Sequence, residues 1–397
     1  MRFASRFPVL LLLALHAAAA AGASITPIGT GPAVGPRAGT SATDLSGDGR
    51  TVIGVLDHGD RLCERGPNTL SGYVWTASQG MTLLPAPSGF RAEPVSISRD
   101  GAVVVGNLVG HETLPDEAFR WTQAGGLESF RGGATAVSAD GAYVLGSIDP
   151  ASPYYYDIPF VGDPHGPAPL PIDQRLLGSI TYSASDDLSV FTGSGDFSRH
   201  DGPNVYRLEP STNDSPRPVL PSGYEDWISY GTRVSADGST IVGPIASPPT
   251  DRDNPRIEAF VWQDGQPVLP IGYVGSDLSN YPESWARDVS GDGSVVVGYS
   301  WTRDDSSAFV WTEETGMQSL EVLLAQAGVD LGDWHLHDVA GISDDGRTLV
   351  TTGSDGVASR SFLVVIPEPR TVILLGLGLA ALAYRERHSA GPSTGIR

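Results

Sequence analysis

The sequence contains no lysine. All 25 of its basic residues are arginine, set against 46 acids, for a net charge of −21. A GC-rich coding bias accounts for arginine over lysine without reference to function. The charge argues against nucleic acid as a partner, because that binding needs cations to neutralise phosphates. A single cysteine, Cys63, excludes an internal disulfide framework and leaves an odd thiol in any exported product. Charged residues are scarce at 18 %, while 49 glycines and 31 prolines point to many turns and short strands rather than long helices. Catalytic signatures are absent as well: there is no Gly-x-Ser-x-Gly elbow, no His-Glu-x-x-His and no P-loop. Gly29 and Gly31 lack the strand–helix setting of a nucleotide loop. With 46 acids present, some pair of carboxylates is bound to exist, so no glycosidase pair is identifiable from sequence.

Long hydrophobic runs are confined to the two ends. Arg2 and Arg6 precede an apolar, Ala-rich stretch over residues 9–21, and Ala21-Gly22-Ala23 has the small-x-small form that signal peptidase accepts. Residues 1–23 therefore read as a secretory signal peptide cleaved at Ala21 and Ala23, the alternative being an uncleaved anchor. At the other end, residues 371–384 are 14 apolar or nearly apolar positions. A comfortable bilayer span needs about 20 residues, so this is a marginal C-terminal hydrophobic helix. Arg385 and Arg387 follow it, and such charges stay cytoplasmic, which leaves the body outside the inner membrane.

Pro367-Glu368-Pro369, the short apolar helix and the arginines together resemble the PEP-CTERM sorting signal. The resemblance implies recognition by an exosortase-type membrane protease of Gram-negative bacteria. It also implies transient anchoring by the C-terminal helix and delivery to the cell envelope, cell surface or extracellular matrix. The sorting motif is then Pro367, Glu368, Pro369, Arg385 and Arg387, within a segment covering residues 367–397.

The body repeats itself. A Ser-x-Asp unit occurs at Ser46/Asp48, Ser98/Asp100, Ser138/Asp140, Ser185/Asp187, Ser235/Asp237, Ser290/Asp292 and Ser343/Asp345, with Asp-to-Asp steps of 52, 40, 47, 50, 55 and 53. Glycine follows the Asp in six copies, Leu188 being the exception. A second glycine lies six residues past the Asp in six copies, Thr351 being the exception. Asp-Gly signals a hairpin with a primed turn, and the following runs such as Val295-Val296-Val297 predict strands buried on both faces. An aromatic heads a later strand in every copy: Tyr73, Phe119, Phe160, Tyr206, Phe260, Phe309 and Phe362. Trp75, Trp121, Trp262 and Trp311 stand two residues on and read as core. A short fourth strand follows, as at residues 81–84 and 317–320.

Four strands per 40–55 residues is the size of one propeller blade. The last repeat lacks a fourth strand, and residues 24–28 supply a spare one. The expected fold is therefore all-β: residues 24–366 form a seven-bladed β-propeller whose N-terminal strand closes the last blade, flanked by the signal peptide and the hydrophobic helix. A β-solenoid or two separate β domains are the alternatives. The repeats also resemble the HAF-type extracellular repeat, a His/Ala-Phe-x-Trp strand near a Ser-x-Asp-Gly hairpin. That resemblance implies an exported repeat protein and no particular activity.

Metal candidates are thin. Asp44-Leu45-Ser46-Gly47-Asp48-Gly49 and Asp288-Val289-Ser290-Gly291-Asp292-Gly293 match the opening of an EF-hand loop, but Val55 and Tyr299 stand where its bidentate Glu belongs. These aspartates read as turn caps, with weak calcium binding as the alternative and no other cofactor expected. His335 and His337 have the spacing of two imidazoles on one strand face, with no third ligand evident. His58, Asp60 and Cys63 read as loop. Trp227, Trp285, Trp301 and Trp334 fall outside the aromatic-strand motif, where an indole on a rim loop could stack on sugar rings. The expected function is an exported, non-catalytic binding or scaffold protein with extracellular polysaccharide or protein as partner. The alternatives are a polysaccharide lyase or hydrolase built on a propeller, which two acids or a His/Tyr/Arg set gathered in one channel mouth would favour, and a purely structural matrix protein.

Overall fold

The turn motif builds every repeat. In all seven copies the serine hydroxyl donates to Oδ1 of the aspartate at 2.6–2.8 Å. That oxygen also accepts the backbone N–H two residues on, and the serine Oγ accepts the N–H five residues on, as in Val295 to Ser290 at 2.9 Å. The residue after the Asp donates its N–H to the serine carbonyl, and there φ is positive: 72° at Gly49, 74° at Gly293. The positive φ thus falls on the closing residue and not inside the turn. This corrects the primed turn expected from Asp-Gly: it is an ordinary i to i+3 turn followed by a left-handed residue, the arrangement of a longer hairpin loop. Leu188 adopts the same conformation, φ 56°, the only non-glycine with positive φ among the described residues. Its part-buried side chain packs against the cluster that holds Leu145, Phe191, Tyr206 and Leu208, which offsets the steric cost. Ser290→Ala would orphan the buried Val295 N–H, so a loss of about 1–3 kcal/mol is expected in urea unfolding. Ser290→Thr should recover most of it.

The computed structural model describes residues 22–29, 38–59, 70–110, 117–148, 158–162, 170–171, 180–195, 204–209, 217–219, 233–246, 257–275, 282–302 and 305–366. Strand β1 (Ser24–Pro27) comes first. The first sheet holds β2 (Gly39–Leu45), β3 (Thr51–Asp57), β4 (Leu70–Thr76) and β5 (Gly80–Leu83). The second holds β6 (Phe90–Ile97), β7 (Val103–Gly110), β8 (Glu117–Thr122) and β9 (Gly126–Arg131). The third holds β10 (Gly133–Val137), β11 (Val144–Ile148), β12 (Ile158–Gly162) and β13 (Leu170–Pro171). The fourth holds β14 (Ile180–Ala184), β15 (Phe191–Gly195), β16 (Asn204–Leu208) and β17 (Arg217–Pro218). The fifth holds β18 (Arg233–Val234), β19 (Thr240–Ala246), β20 (Ile257–Gln263) and β21 (Leu269–Pro270). The sixth holds β22 (Glu283–Val289), β23 (Val295–Trp301), β24 (Ser306–Thr312) and β25 (Gly316–Ser319). The seventh holds β26 (His335–Ile342), β27 (Thr348–Ser354) and β28 (Ser359–Val365), with β1 as its outer strand. All pairings are antiparallel.

The fold is an all-β propeller. The innermost strands β2, β6, β10, β14, β18, β22 and β26 touch one another in turn, and β26 touches β2. A solenoid has no such closing contact. A belt of backbone hydrogen bonds links the turns as well: Arg99 N–H to Ala139, Asp186 to Ala236, Gly291 to Asp344, and Asp344 to Gly47. The last of these joins the seventh sheet to the first. In the seventh sheet Ser24 pairs with Val365 and Pro27 with Phe362, and Ile28, fully buried, donates its N–H to Ser361 at 2.9 Å.

The second glycine of each repeat has a cross-strand role. Gly54 pairs with Tyr73, Gly106 with Phe119, Gly146 with Phe160, Gly193 with Tyr206, Gly243 with Phe260 and Gly298 with Phe309. A Cβ on Gly106 would lie 2.8 Å from the Phe119 ring and against the Glu93 carbonyl of the innermost strand. Glycine is there so that the aromatic ring lies over the strand. Thr351 takes the place opposite Phe362. The hydrophobic clusters then run between neighbouring sheets; Val104 and Phe119 pack with Ile53 and Val74, for example.

One element departs from the repeat reading. The expected strand at residues 317–320 stops at Ser319, and Leu320–Gln326 forms a helix, α1. Leu320 and Leu324, one helical turn apart, are fully buried between the sixth and seventh sheets. Among the described residues no helix is long and apolar enough to cross a membrane. The signal peptide up to Ala21, the Pro367-Glu368-Pro369 motif, residues 371–384, Arg385, Arg387, Asp60, Cys63 and Trp227 all lie outside the described residues.

Candidate functional site

Two residues before the motif serine, the innermost strand carries a bulge in six of the seven sheets, the short β18 being the exception. The pairing register shifts between Ala42 and Asp44, Pro94 and Ser96, Ala134 and Ala136, Thr181 and Ser183, Ala286 and Asp288, and Val339 and Gly341. A bulge re-aims the side chain that follows it. The equivalent positions Asp44, Ser96, Ala136, Ser183, Arg233 and Asp288 line the mouth of the axial channel, and Gly341 lies against Leu45 and Asp44. Most of these are small. Three are charged, and they meet.

Arg233 Nη2 lies 3.3 Å from Asp44 Oδ2, and its Nε lies 3.5 Å from Asp288 Oδ1. Asp44 Oδ1 also accepts the Leu45 N–H at 3.0 Å. Asp288 Oδ1 accepts the Val289 N–H at 2.9 Å, and Oδ2 accepts the Ile342 N–H of the next sheet at 2.8 Å. Asp44 likewise accepts from the Ser96 side chain and the Ile97 backbone N–H of the next sheet. The trio thus ties the first, second, fifth, sixth and seventh sheets across the ring. Above it, Arg99 reaches from the second sheet to Asp186 of the fourth and, at 2.6 Å, to Asp344 of the seventh. The open mouth around these groups has a volume of about 120 Å³.

Burial sets the protonation. Removal from water raises the Asp288 pKa to about 7; Arg233 pulls it down and Asp44 pushes it up. Burial likewise raises Asp44, against the pull of Arg233. For Arg233 burial works against the charge, and the two carboxylates outweigh it, so its proton is held more firmly than usual. The sign for stability follows from Asp288. Its folded pKa of about 7 exceeds the unfolded value of about 3.9, so the folded state binds the extra proton between them. This group's contribution is fully present below about pH 4 and is lost as pH rises to about 7. In Asp288→Asn this pH dependence should be lost, so the unfolding free energy should be flatter across that window, as urea titrations at pH 5 and pH 7.5 would show.

These positions modify the reading of the EF-hand-like stretches. Asp48 and Asp292 cap their turns, but Asp44 and Asp288 do not: they point to the axis, away from the turn oxygens. Among the described residues no three of His, Cys, Asp and Glu converge as metal donors. A bulge separates Leu336 from Asp338, so His335 and His337 do not share one regular strand face; His335 is 70 % exposed and lies 3.7 Å from Glu321. His58 contacts the Ser71 hydroxyl at 2.8 Å.

Sequence reasoning missed Arg233 altogether. The available signal was its alignment with Asp44 and Asp288 at one repeat position. A second group went unnoticed on the sixth and seventh sheets. Trp285 stacks on Tyr299 with ring centroids 6.3 Å apart, Arg287 lies 5.1 Å over the Tyr299 ring, and Arg287 Nη2 is 3.3 Å from Asp338 Oδ2. Trp301 is exposed, and Trp334 packs edge-on against Phe362. Trp75, Trp121 and Trp311 are buried as expected, and Trp262 is partly so.

No family model matches the chain, and no curated protein matches it. Solved structures do. The β-propeller domain of the Trilobed protease from Pyrococcus furiosus is 10% identical, with a TM-score of 0.55 over 84% of this chain and 96% of that one. An oligogalacturonate lyase in complex with manganese is 13% identical, with a TM-score of 0.54 over 88% of this chain and 95% of that one. One of two prolyl endopeptidases is 12% identical, with a TM-score of 0.56 over 88% of this chain but 48% of that one. Identities this low show a shared fold and nothing about activity.

Proposed function

We propose that each sheet is one blade, so that the chain is a seven-bladed β-propeller closed by its N-terminal strand. We further propose that it is exported, non-catalytic and binds extracellular polysaccharide in the envelope or matrix, where exosortase-type sorting delivers it. The observation that supports a non-catalytic reading is the state of the axial acids. All four oxygens of Asp44 and Asp288 are already taken by Arg233 or backbone N–H groups, so none is aimed at a substrate. Export and sorting draw support from where the two candidate processing segments lie. Ser24 follows Ala23 directly and pairs with Val365, two residues before Pro367, so both processing segments flank one strand pair.

The lyase or hydrolase reading has one observation in its favour. Two acids and an arginine do meet in one channel mouth, and the Asp288 pKa of about 7 suits general acid–base work. Incubation of the purified chain with acidic and neutral oligosaccharides separates the two. A binder leaves chain length unchanged; cleavage that Asp288→Asn abolishes would make it an enzyme. Mass spectrometry of both termini after separating inner membrane, outer envelope and medium tests the rest. A body that starts at Ser24, ends near Pro369 and lies outside the inner membrane is expected. A full-length chain held in the inner membrane would refute the sorting proposal.

A further inference from the structure

The channel mouth is filled by its own charges, whereas a larger opening lies between the first and second sheets. This cleft has a volume of about 430 Å³ and is lined by the β4–β5 turn, the second Ser-x-Asp-Gly turn and the end of β8. Its chemistry sets it apart from the rest of the molecule. None of its fourteen lining residues is charged, in a chain where 18 % of residues are. The lining is instead hydroxyl and amide over an apolar floor of Val74 and Trp121.

Several of these groups are not used by the protein's own hydrogen bonds and stand open to solvent. Thr76 and Thr122 use their hydroxyls to cap adjacent turns, taking the Gln79 and Gly125 N–H groups at 3.1 and 2.9 Å. The side-chain amides of Gln79 and Gln123 and the indole N–H of Trp121 have no partner among the described residues. Gln79 and Gln123 are exposed and stand on opposite walls of the cleft. An apolar floor with neutral, two-way hydrogen-bonding groups on both walls suits a ligand that is itself uncharged and carries both donors and acceptors. A carboxylate or phosphate would find no cation here, and an ammonium no anion. Hydroxyls on a ring with an apolar face meet every condition.

We infer that this cleft between the first two sheets binds a neutral sugar unit of a polysaccharide. The inference rests on the polysaccharide-binding reading above and adds where the sugar sits and that it carries no charge. The test is native gel electrophoresis of the full chain through gels containing dextran, a mixed-linkage β-glucan or a galactomannan, with polygalacturonate as the acidic counterpart. Retardation by at least one neutral polymer is expected. The Gln79→Ala/Gln123→Ala double variant, which removes two exposed side chains, should weaken it at least tenfold. Trp121→Phe, which keeps an aromatic ring in the floor but removes the N–H together with the five-membered ring, should weaken it severalfold. Retardation by a neutral polymer that the double variant leaves intact would overturn the cleft while leaving polysaccharide binding standing. Retardation by polygalacturonate alone would overturn the neutral ligand in the same way. No retardation in any gel would sink both.

Discussion

Arg233→Met should lose about 3–5 kcal/mol of unfolding free energy at pH 8, because it strips the cation from two carboxylates that stay buried. Asp44 and Asp288 face the channel axis at the same repeat position, and Arg233 lies between them at 3.3 and 3.5 Å. Methionine fills the volume but supplies no charge and no donor. The loss should shrink at pH 5. Both acids already have raised pKa values through burial, and without Arg233 they rise further, so protonation relieves the repulsion at a milder pH. Urea titrations at the two pH values measure this directly. Replacing Asp44 and Asp288 by asparagine together with Arg233→Met removes all three charges yet leaves a carbonyl oxygen at each site for the Leu45, Val289 and Ile342 N–H groups, and part of the stability should return. A loss under 1 kcal/mol for Arg233→Met alone would mean that water reaches the trio and that it does not clasp the ring.

A chain beginning at Gly39, without β1, should be both less stable and prone to associate. Ile28 is fully buried, and its removal alone costs about 1.5–3 kcal/mol. The ladder with β28, from Ser24–Val365 to Pro27–Phe362, adds about 0.5–1.5 kcal/mol for each hydrogen bond lost. Deletion also bares β28, an edge carrying Phe362 and Val364, and an open edge recruits other chains. Light scattering during thermal unfolding should show aggregation well below the transition of the intact chain. A synthetic peptide of residues 24–29 added in trans should restore part of the stability, since pairing is antiparallel and needs no covalent link. If the truncated chain unfolds at the same temperature as the intact one, β1 closes nothing of consequence.

Much of the architecture was legible from spacing alone. A Ser-x-Asp-Gly turn is a local object: its serine, aspartate and glycine satisfy one another within six residues, so the pattern repeats wherever the turn does. The spare N-terminal strand and the missing last strand were legible too, because a chain that alternates strand and turn has to account for every edge. The helix α1 escaped notice: Leu320 and Leu324 carry the helical spacing, but the fourth strand of the preceding repeat ran into it.

The sequence by itself determined the turns, the strand order within each sheet and the uncharged or charged character of each segment, since all of these are set by neighbours along the chain. Tertiary structure decided which of these residues meet. Gly298 opposite Phe309 and Gly106 opposite Phe119 are linked by register between strands. Asp44, Arg233 and Asp288 are 189 and 55 residues apart and converge only because a bulge turns each aspartate toward the axis and the ring brings Arg233 round to meet them. Convergence of that kind depends on closure, and closure is a property of seven sheets together, which no single repeat contains.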